Sequence, residues 1–218
     1  STGLKGMLNI DLNKTVNISK KGLVIGTPQS LSMIADMPFH DEVNGLDNEG
    51  YIIKTTTFNK KQVTVIAAKN DIGVLYGVFH YLRLMQTHQP LTNLDIKEEP
   101  KLQIRVLNHW DNLNGTIERG YAGYTLWAWA KLPNYTSPRY TDYARANASL
   151  GINGAVLNNV NANTLSLRTS YIIKAAAIAD ALRPYGIKVY LSAKFSAPRE
   201  IGGLATAVPF DPEVRQWW

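Results

Sequence analysis

The sequence predicts an α/β protein made of two domains. Three short apolar segments, at residues 104–112, 154–161 and 187–194, have the composition of buried strands and end in polar or aromatic residues. A helix-like stretch separates each pair, as in parallel strands joined by crossover helices. A closed (β/α)8 TIM barrel needs eight strands and typically about 250 residues, whereas this chain has 218. We therefore expect a small N-terminal α/β domain, residues 1–101, followed by the first three β/α units of an incomplete TIM barrel, residues 102–218.

The N-terminal domain alternates strand and helix signals. Ser30 can cap a brief helix that continues to Met37. Runs of apolar and β-branched residues predict strands at 23–25, 51–57 and 63–68, with a polar turn at 59–61 between the last two.

The next helix begins at Asn70 or Asp71, either of which can cap it. Its apolar residues recur three and four positions apart and predict one buried face, made of Leu75, Val78, Phe79, Leu82 and Met85. The polar stretch 95–101, which contains Pro100, is the best candidate for the domain boundary.

The second domain begins with the apolar strand at 104–112. Ser137-Pro138 supplies an N-cap and a first-turn proline for a helix that ends near Gly151. The helix at 169–182 is expected to bury the face that contains Ile172, Ile173, Ala176, Ala179 and Leu182. The strand at 187–192 is nearly continuous in apolar residues, so we expect it to be buried on both sides. A small doubly wound domain can also contain three parallel strands, and that alternative stays open.

Composition and charge restrict the partners. The net charge of +6 comes from basic residues scattered singly, without a run or stripe, so we expect no nucleic-acid partner. No apolar run approaches the roughly 18 residues of a membrane span, and we expect no membrane partner. The chain has no cysteine, which leaves the compartment open. A periplasmic or extracellular location is slightly favoured over a cytoplasmic one.

Motifs for metals and cofactors are missing. The histidines, His40, His80, His88 and His109, have no paired-ligand spacing, and no glycine-rich phosphate loop follows a strand. We expect neither a metal nor a cofactor.

The densest group of functional side chains lies where the first strand of the second domain ends. Trp110 can stack on the apolar face of a sugar ring, while Asp111 and Asn112 can accept hydrogen bonds from hydroxyl groups. Together they suit a carbohydrate. The alternative is that Trp110 and His109 are packing residues and that Asp111 and Asn112 cap local backbone.

The ends of the second and third strands add further candidates. Asn158, Asn159 and Asn161 surround Val160, and such a group of amides is unfavourable in a strand interior unless it reaches a ligand or turns the backbone. Lys194 can place a cation near an acidic substrate group, although a lysine at a strand end can also simply be solvated.

A pair of catalytic carboxyl groups is not evident. Hydrolysis of a glycoside usually needs two carboxyl groups facing each other across the scissile bond. In the second domain only Asp111 and Glu118 fall at a plausible site, and one loop rarely supplies both partners. Trp127 and Trp129, in the long loop that follows, are expected to be packing residues.

Three long strings carry a family resemblance. They are RVLNHWDNLNGTIERGYAG at 105–123, GINGAVLNNVNA at 151–162 and RPYGIKVYL at 183–191. With them, residues 103–218 closely resemble the α-glucuronidases of glycoside hydrolase family 67, and the first hundred residues resemble that family's N-terminal domain less distinctively.

The resemblance implies an inverting TIM-barrel enzyme that removes α-1,2-linked (4-O-methyl)glucuronic acid from xylooligosaccharides without a metal. It places Trp110 in the substrate pocket, and Val160 with its Asn neighbours near the O4 substituent of the sugar. The family's general acid and base lie on later strands, so the catalytic residues are unknown here and expected beyond Trp218. The resemblance further implies that the 218-residue chain alone is inactive and that the full-length protein can form a homodimer.

Two other functions stay open. One is a different TIM-barrel glycosidase, such as a β-hexosaminidase, which would need an adjacent Asp-Glu pair on a later strand. The other is a non-enzymatic carbohydrate-binding protein.

Overall fold

The computed structural model describes residues 2–9, 22–161 and 163–218. The chain forms two compact units, Ser1–Gln103 and Ile104–Trp218. Each unit combines helices with one sheet, so the predicted α/β class is confirmed. Within the described residues, no helix is long and apolar enough to cross a membrane.

The first unit contains a mixed sheet of four strands in the order β1-β3-β2-β4. β3 is parallel to β1 and antiparallel to β2, which in turn is antiparallel to β4. Its elements are α1 (Thr2–Leu8), β1 (Gly22–Gly26), α2 (Ser32–Ala35), α3 (His40–Asn44), β2 (Tyr51–Phe58), β3 (Lys61–Ala67), α4 (Asp71–Gln86) and β4 (Asp95–Glu98).

The predicted hairpin between β2 and β3 is confirmed, and its turn has two residues. Asn59 and Lys60 have φ angles of 49° and 62°, as a type I′ turn requires. This turn matches the right-handed twist of the two strands that it joins.

The polar stretch 95–101 contains a strand that the sequence did not predict. Its first four residues form the edge strand β4, in which Asp95 accepts a 2.8 Å hydrogen bond from Lys54. An edge strand keeps polar side chains in water, so its composition resembles that of a linker. Ser30 does not cap α2, whose N-cap is Leu31, because the Ser30 hydroxyl accepts a 2.8 Å bond from the Thr27 N–H.

The predicted buried face of α4 is also wrong. The predicted apolar residues are only half-buried, whereas Gly73, Tyr76 and Gly77 are buried. A Cβ atom on Gly73 would collide with the Gly50 carbonyl oxygen, and one on Gly77 would lie 2.7 Å from Cγ2 of Ile66. The helix thus packs through glycines, which a hydrophobicity pattern does not detect.

The second unit contains three parallel strands in the order β5-β6-β7. Helices α5 and α6 connect them, as the sequence predicts, but each strand has only three residues. The elements are β5 (Val106–Asn108), α5 (Pro138–Ser149), β6 (Gly154–Val156), a 3-10 helix (Thr164–Leu167), α6 (Thr169–Leu182), a second 3-10 helix (Arg183–Tyr185), β7 (Lys188–Tyr190), α7 (Ala197–Glu200) and α8 (Pro212–Trp217).

The ends of the two connecting helices follow the sequence signals. Ser137 is the N-cap of α5 and accepts a hydrogen bond from the Arg139 N–H. α6 begins and ends at the predicted residues, Thr169 and Leu182, and Gly186 behind it has a left-handed φ of 73°. Such conformations are common just after helices.

The burial of these elements differs from the prediction. α6 buries Ala175, Ile178 and Leu182, whereas Ile172 and Ile173 are 42% and 51% exposed. Almost every residue of α6 is apolar, so the spacing does not single out one face. Only the central strand β6 is largely buried, and Tyr190 of β7 is 40% exposed. The prediction of burial on both sides is therefore wrong for β7.

The long loop after β5 contributes to the core of the second unit. Trp127 and Trp129 are buried, as expected for packing residues. The Tyr140 hydroxyl, on α5, accepts a 2.7 Å hydrogen bond from the Ala128 N–H. The loop is thereby fixed to α5, and the core lies between the loop, the sheet and the two helices.

Replacing either packing glycine of α4 should destabilise the first unit. Gly73→Ala and Gly77→Ala each force a Cβ into an occupied position, and we expect each to lower the free energy of unfolding by about 1–3 kcal/mol. Gly6→Ala is the control, because nothing lies within 4 Å of that Cβ; it should be neutral or stabilising by up to about 1 kcal/mol. Urea denaturation followed by circular dichroism measures this, and equal stabilities for all three variants would contradict the packing described.

Candidate functional site

A polar pocket lies at the carboxyl ends of the three parallel strands. Its volume is about 420 Å³, within the range of small-molecule sites. Its lining is dominated by amide and charged side chains: Asp111, Asn112, Leu113, Asn114, Asn158, Asn159, Asn161, Asn163, Thr164, Lys194 and Glu200.

Asn158 connects the end of β6 to the chain that follows β7. Its side-chain amide donates to the Ser192 carbonyl at 3.0 Å, and its side-chain oxygen accepts from the Ser192 N–H at 2.7 Å. The Ser192 hydroxyl donates back to the Asn158 carbonyl at 3.3 Å. Asn158 is 2% exposed, so its amide is used for structure and forms the back of the pocket.

Asn159 connects the end of β6 to the chain that follows β5. Its N–H donates to the Asp111 carbonyl at 2.8 Å, and its side-chain amide donates to the Trp110 carbonyl at 3.4 Å. Its side-chain oxygen accepts from the Asn161 N–H at 2.9 Å. The central strand therefore holds both neighbouring loops through adjacent asparagines.

Asn112 organises the loop on the β5 side. Its side-chain amide donates to the Thr116 hydroxyl at 2.9 Å and to the Glu118 carbonyl at 2.7 Å. Glu118 contributes this carbonyl from a left-handed backbone with φ of 58°. The side-chain amide of Asn112 is thus engaged in holding a turn.

Asp111 is a buried carboxylate in contact with the pocket. It is 3% exposed, and one carboxylate oxygen accepts a short hydrogen bond from the Thr125 hydroxyl. The other oxygen lies 3.9 Å from Nδ1 of His109. Burial lowers the pKa of His109, although the nearby Asp111 charge opposes this. Burial also raises the pKa of Tyr143, which contacts His109, to about 12.

Lys194 and Glu200 form an ion pair on the opposite wall. Lys194 Nζ donates to Oε1 of Glu200 at 2.6 Å. The Ser196 and Thr164 hydroxyls donate to the same carboxylate at 2.6 Å and 3.0 Å. The Lys194 hydrogen bond, followed by the two hydroxyls, lowers the pKa of Glu200 to about 2.

The structure places most of the predicted site residues together. Asp111, Asn112, Asn158, Asn159, Asn161 and Lys194 line the pocket. Trp110 and Val160 are not among the lining residues, but their side chains are 40% and 46% exposed at the same ends of β5 and β6.

Sequence reasoning missed Glu200 and Thr164. The sequence suggested Glu118 as the second acid of the site, but its carbonyl supports the turn and its side chain is not part of the pocket lining. The second acid at the pocket is Glu200, which lies in the short helix α7. Its position six residues after Lys194 does not predict the contact between them, because the contact forms only when the chain folds back. Among the described residues, no group of three or more His, Asp or Glu side chains could hold a metal ion.

The arrangement suits a ligand rich in hydroxyl groups. Amides and carboxylates at the pocket surface can exchange hydrogen bonds with hydroxyls, and an exposed indole beside them can stack on a sugar ring. These features define an α/β protein with a ligand pocket at the carboxyl ends of parallel strands, where such sheets commonly bind their ligands.

Comparisons with known proteins place the chain in a family. Residues 1–81 match the family model for the glycosyl hydrolase family 67 N-terminus, and residues 84–218 match that for the glycosyl hydrolase family 67 middle domain. The chain belongs to glycosyl hydrolase family 67, which confirms the resemblance seen in the sequence.

The curated relatives are named as alpha-glucuronidases. The chain is 40% identical over 159 residues to alpha-glucuronidase A of Emericella nidulans, covering 71% of this chain and 19% of that protein. It is 33% identical over 222 residues to the probable alpha-glucuronidase A of Aspergillus terreus, covering 100% of this chain and 25% of that protein. It therefore spans a quarter or less of the length of these two relatives.

Among solved structures, a GH138 enzyme targeting pectin rhamnogalacturonan II superposes with a TM-score of 0.47 at 13% identity, covering 79% of this chain and 24% of that one. This similarity has no bearing on function.

Removing the Asn158 side chain should destabilise the second unit. Asn158→Ala leaves the partly buried N–H and carbonyl of Ser192 without their partner, and we expect a loss of about 1–2 kcal/mol in the free energy of unfolding. Asn161→Ala, at an exposed position of the same loop, should change it by less than about 0.5 kcal/mol. All five tryptophans lie in this unit, so tryptophan fluorescence during urea denaturation measures both. Equal stability of the two variants would show that the Asn158–Ser192 bonds contribute little.

Glu200 should give the second unit a specific dependence on acid. Its pKa is lowered from 4.5 to about 2 in the folded state. A carboxyl group with a lowered pKa stabilises the fold above its unfolded pKa, and this stabilisation is lost as the pH falls from about 4.5 towards 2. Glu200→Gln should therefore flatten the stability profile in that window, whereas Asp180→Asn, which alters an exposed helical ion pair with Arg183, should not. Tryptophan fluorescence at each pH measures this, and an unchanged profile in Glu200→Gln would contradict it.

Proposed function

We propose that this chain supplies the N-terminal domain, residues 1–101, and the first three β/α units of a (β/α)8 barrel, residues 102–218, in an inverting xylan α-glucuronidase. The proposed reaction is hydrolysis of α-1,2-linked (4-O-methyl)glucuronic acid from xylooligosaccharides. The observation that carries this proposal is the amide-lined pocket at the carboxyl ends of β5, β6 and β7, in a chain that belongs to glycosyl hydrolase family 67.

Several features of the pocket support a sugar ligand. Asn161 is exposed at the pocket, and the exposed indole of Trp110 lies at the end of the same sheet. Val160 offers a small apolar surface between amides, which suits a methyl group attached to the O4 of a sugar. In this proposal the pocket binds and orients the uronic acid residue.

The two carboxylates of the pocket do not support a catalytic role. An inverting glycosidase needs one carboxylic acid to protonate the leaving oxygen and one carboxylate to activate a water. Asp111 is buried and accepts from Thr125, while Glu200 is ion-paired and has a pKa far too low for a general acid. We therefore propose that the acid and base of the enzyme lie outside these 218 residues.

The 218-residue polypeptide should bind sugar without hydrolysing it. Incubation with aldouronic oligosaccharides should release no glucuronic acid, because the general acid is absent. Release of glucuronic acid above a buffer blank would place the catalytic pair within this chain and refute that part of the proposal.

Binding should depend on Trp110. We expect Trp110→Ala to weaken binding of 4-O-methylglucuronic acid by roughly three- to tenfold, corresponding to about 0.5–1.5 kcal/mol for an aromatic contact. Trp218→Ala is the matched control, since Trp218 is also an exposed indole, 53% against 40% for Trp110, and it should bind as the unmodified chain does. Calorimetry or an NMR titration measures both affinities. Equal loss in the two variants would indicate nonspecific contact with indoles.

A further inference from the structure

Three side chains of the second unit form a line of contacts that ends at the pocket. The Tyr143 hydroxyl, on α5, lies 2.7 Å from Nε2 of His109, and Nδ1 of His109 lies 3.9 Å from a carboxylate oxygen of Asp111. Of the three, only Asp111 lines the pocket. Trp127 packs against the His109 ring, with centroids 5.3 Å apart at an interplanar angle of 66°. The imidazole therefore has a fixed plane between a phenol and a carboxylate.

The neighbours of His109 determine which of its nitrogens carries the proton. A neutral imidazole has one N–H donor and one acceptor nitrogen. Burial lowers the pKa of His109 and raises that of Tyr143 to about 12, so burial favours the neutral ring and the protonated phenol. If Tyr143 donates to Nε2, the Nδ1–H faces the Asp111 carboxylate. The opposite tautomer would direct a lone pair at that negative charge, which is electrostatically unfavourable.

We propose that Tyr143 holds His109 in the Nδ1–H tautomer, and that His109 in this form orients the Asp111 carboxylate to accept a hydrogen bond from a sugar hydroxyl. His109 and Tyr143 are then positioning residues. That the ligand of Asp111 is a sugar rests on the proposed function. The assignment of the Nδ1–H tautomer to His109 is independent of it.

The geometry leaves Asp111 free to bind a ligand. One of its carboxylate oxygens accepts from Thr125. The other lies 3.9 Å from His109, which is longer than a hydrogen bond, so the attraction is electrostatic and this oxygen keeps its lone pairs. A carboxylate held on one side by a hydroxyl and attracted on the other by an N–H has little freedom to rotate away from the pocket.

The first unit offers a matched control. There the Tyr51 hydroxyl lies 2.8 Å from Nδ1 of His80, with the rings at 87°. Tyr51→Phe removes the same hydroxyl from the same kind of pair, but in the other compact unit. It reports any general effect of losing a phenolic hydroxyl from this chain.

NMR of the 15N-labelled full chain at pH 7.5 tests the tautomer, with the His109 signals assigned by their loss in His109→Gln. We expect His109 to carry its proton on Nδ1 in the unmodified chain and to become a mixture of tautomers in Tyr143→Phe. Tyr51→Phe should leave His109 unchanged. A proton on Nε2 in the unmodified chain, or an unaltered tautomer in Tyr143→Phe, would overturn the proposal.

Titration of the same samples with glucuronic acid tests the consequence for Asp111. Tyr143→Phe should weaken binding by about two- to tenfold, the usual effect of one hydrogen bond, and Tyr51→Phe should not weaken it. If the unmodified chain binds and Tyr143→Phe binds equally well, the positioning role is overturned. If the unmodified chain has the Nδ1–H tautomer but binds no sugar, it is the proposed function that fails, and the assignment of His109 stands.

Discussion

The second unit depends on the way its central strand holds both neighbours. β6 has only three residues, so the backbone hydrogen bonds of the sheet do not extend to the loops that follow the strands. Two asparagines bind these loops to β6. Asn158 is hydrogen-bonded to Ser192 beyond β7, and Asn159 donates to the carbonyls of Trp110 and Asp111 beyond β5. Because both amides are buried and satisfied, they fix the distance between the loops. The pocket lies between these two loops.

In the proposed function, this arrangement serves binding rather than catalysis. The pocket presents amides, one buried carboxylate that accepts a hydrogen bond from Thr125, and one ion pair in which the pKa of the carboxylate is lowered. Such groups are suited to recognising hydroxyls in fixed directions. In the proposed enzyme, a wall of this kind orients the sugar, and other residues break its bond.

Local signals were sufficient to predict the two helices that connect the parallel strands of the second unit. Ser137-Pro138 gives the start of α5, the apolar run from Thr169 to Leu182 gives α6, and parallel topology brings the strand ends together. Facts that depend on packing could not be predicted. The glycine face of α4 has no hydrophobic signal, and α6 is apolar on several faces. Glu200 reaches the pocket only because the chain folds back after Lys194.

The asparagine bonds and the Lys194–Glu200 pair should respond differently to ionic strength. Mobile ions screen exposed charges that are farther apart than about 10 Å at 0.1 M salt and about 3 Å at 1 M salt. The Lys194 and Glu200 side chains are 47% and 39% exposed and their charged atoms lie 2.6 Å apart, so only concentrated salt weakens this pair. Hydrogen bonds between buried neutral amides and backbone groups have no net charge to screen. Concentrated salt should therefore loosen the wall beside β7 while the back of the pocket, formed by Asn158 and Asn159, keeps its shape. The conformation of the wall that contains Lys194 and Glu200 thus depends on ionic strength, whereas that of the wall formed by Asn158 and Asn159 does not.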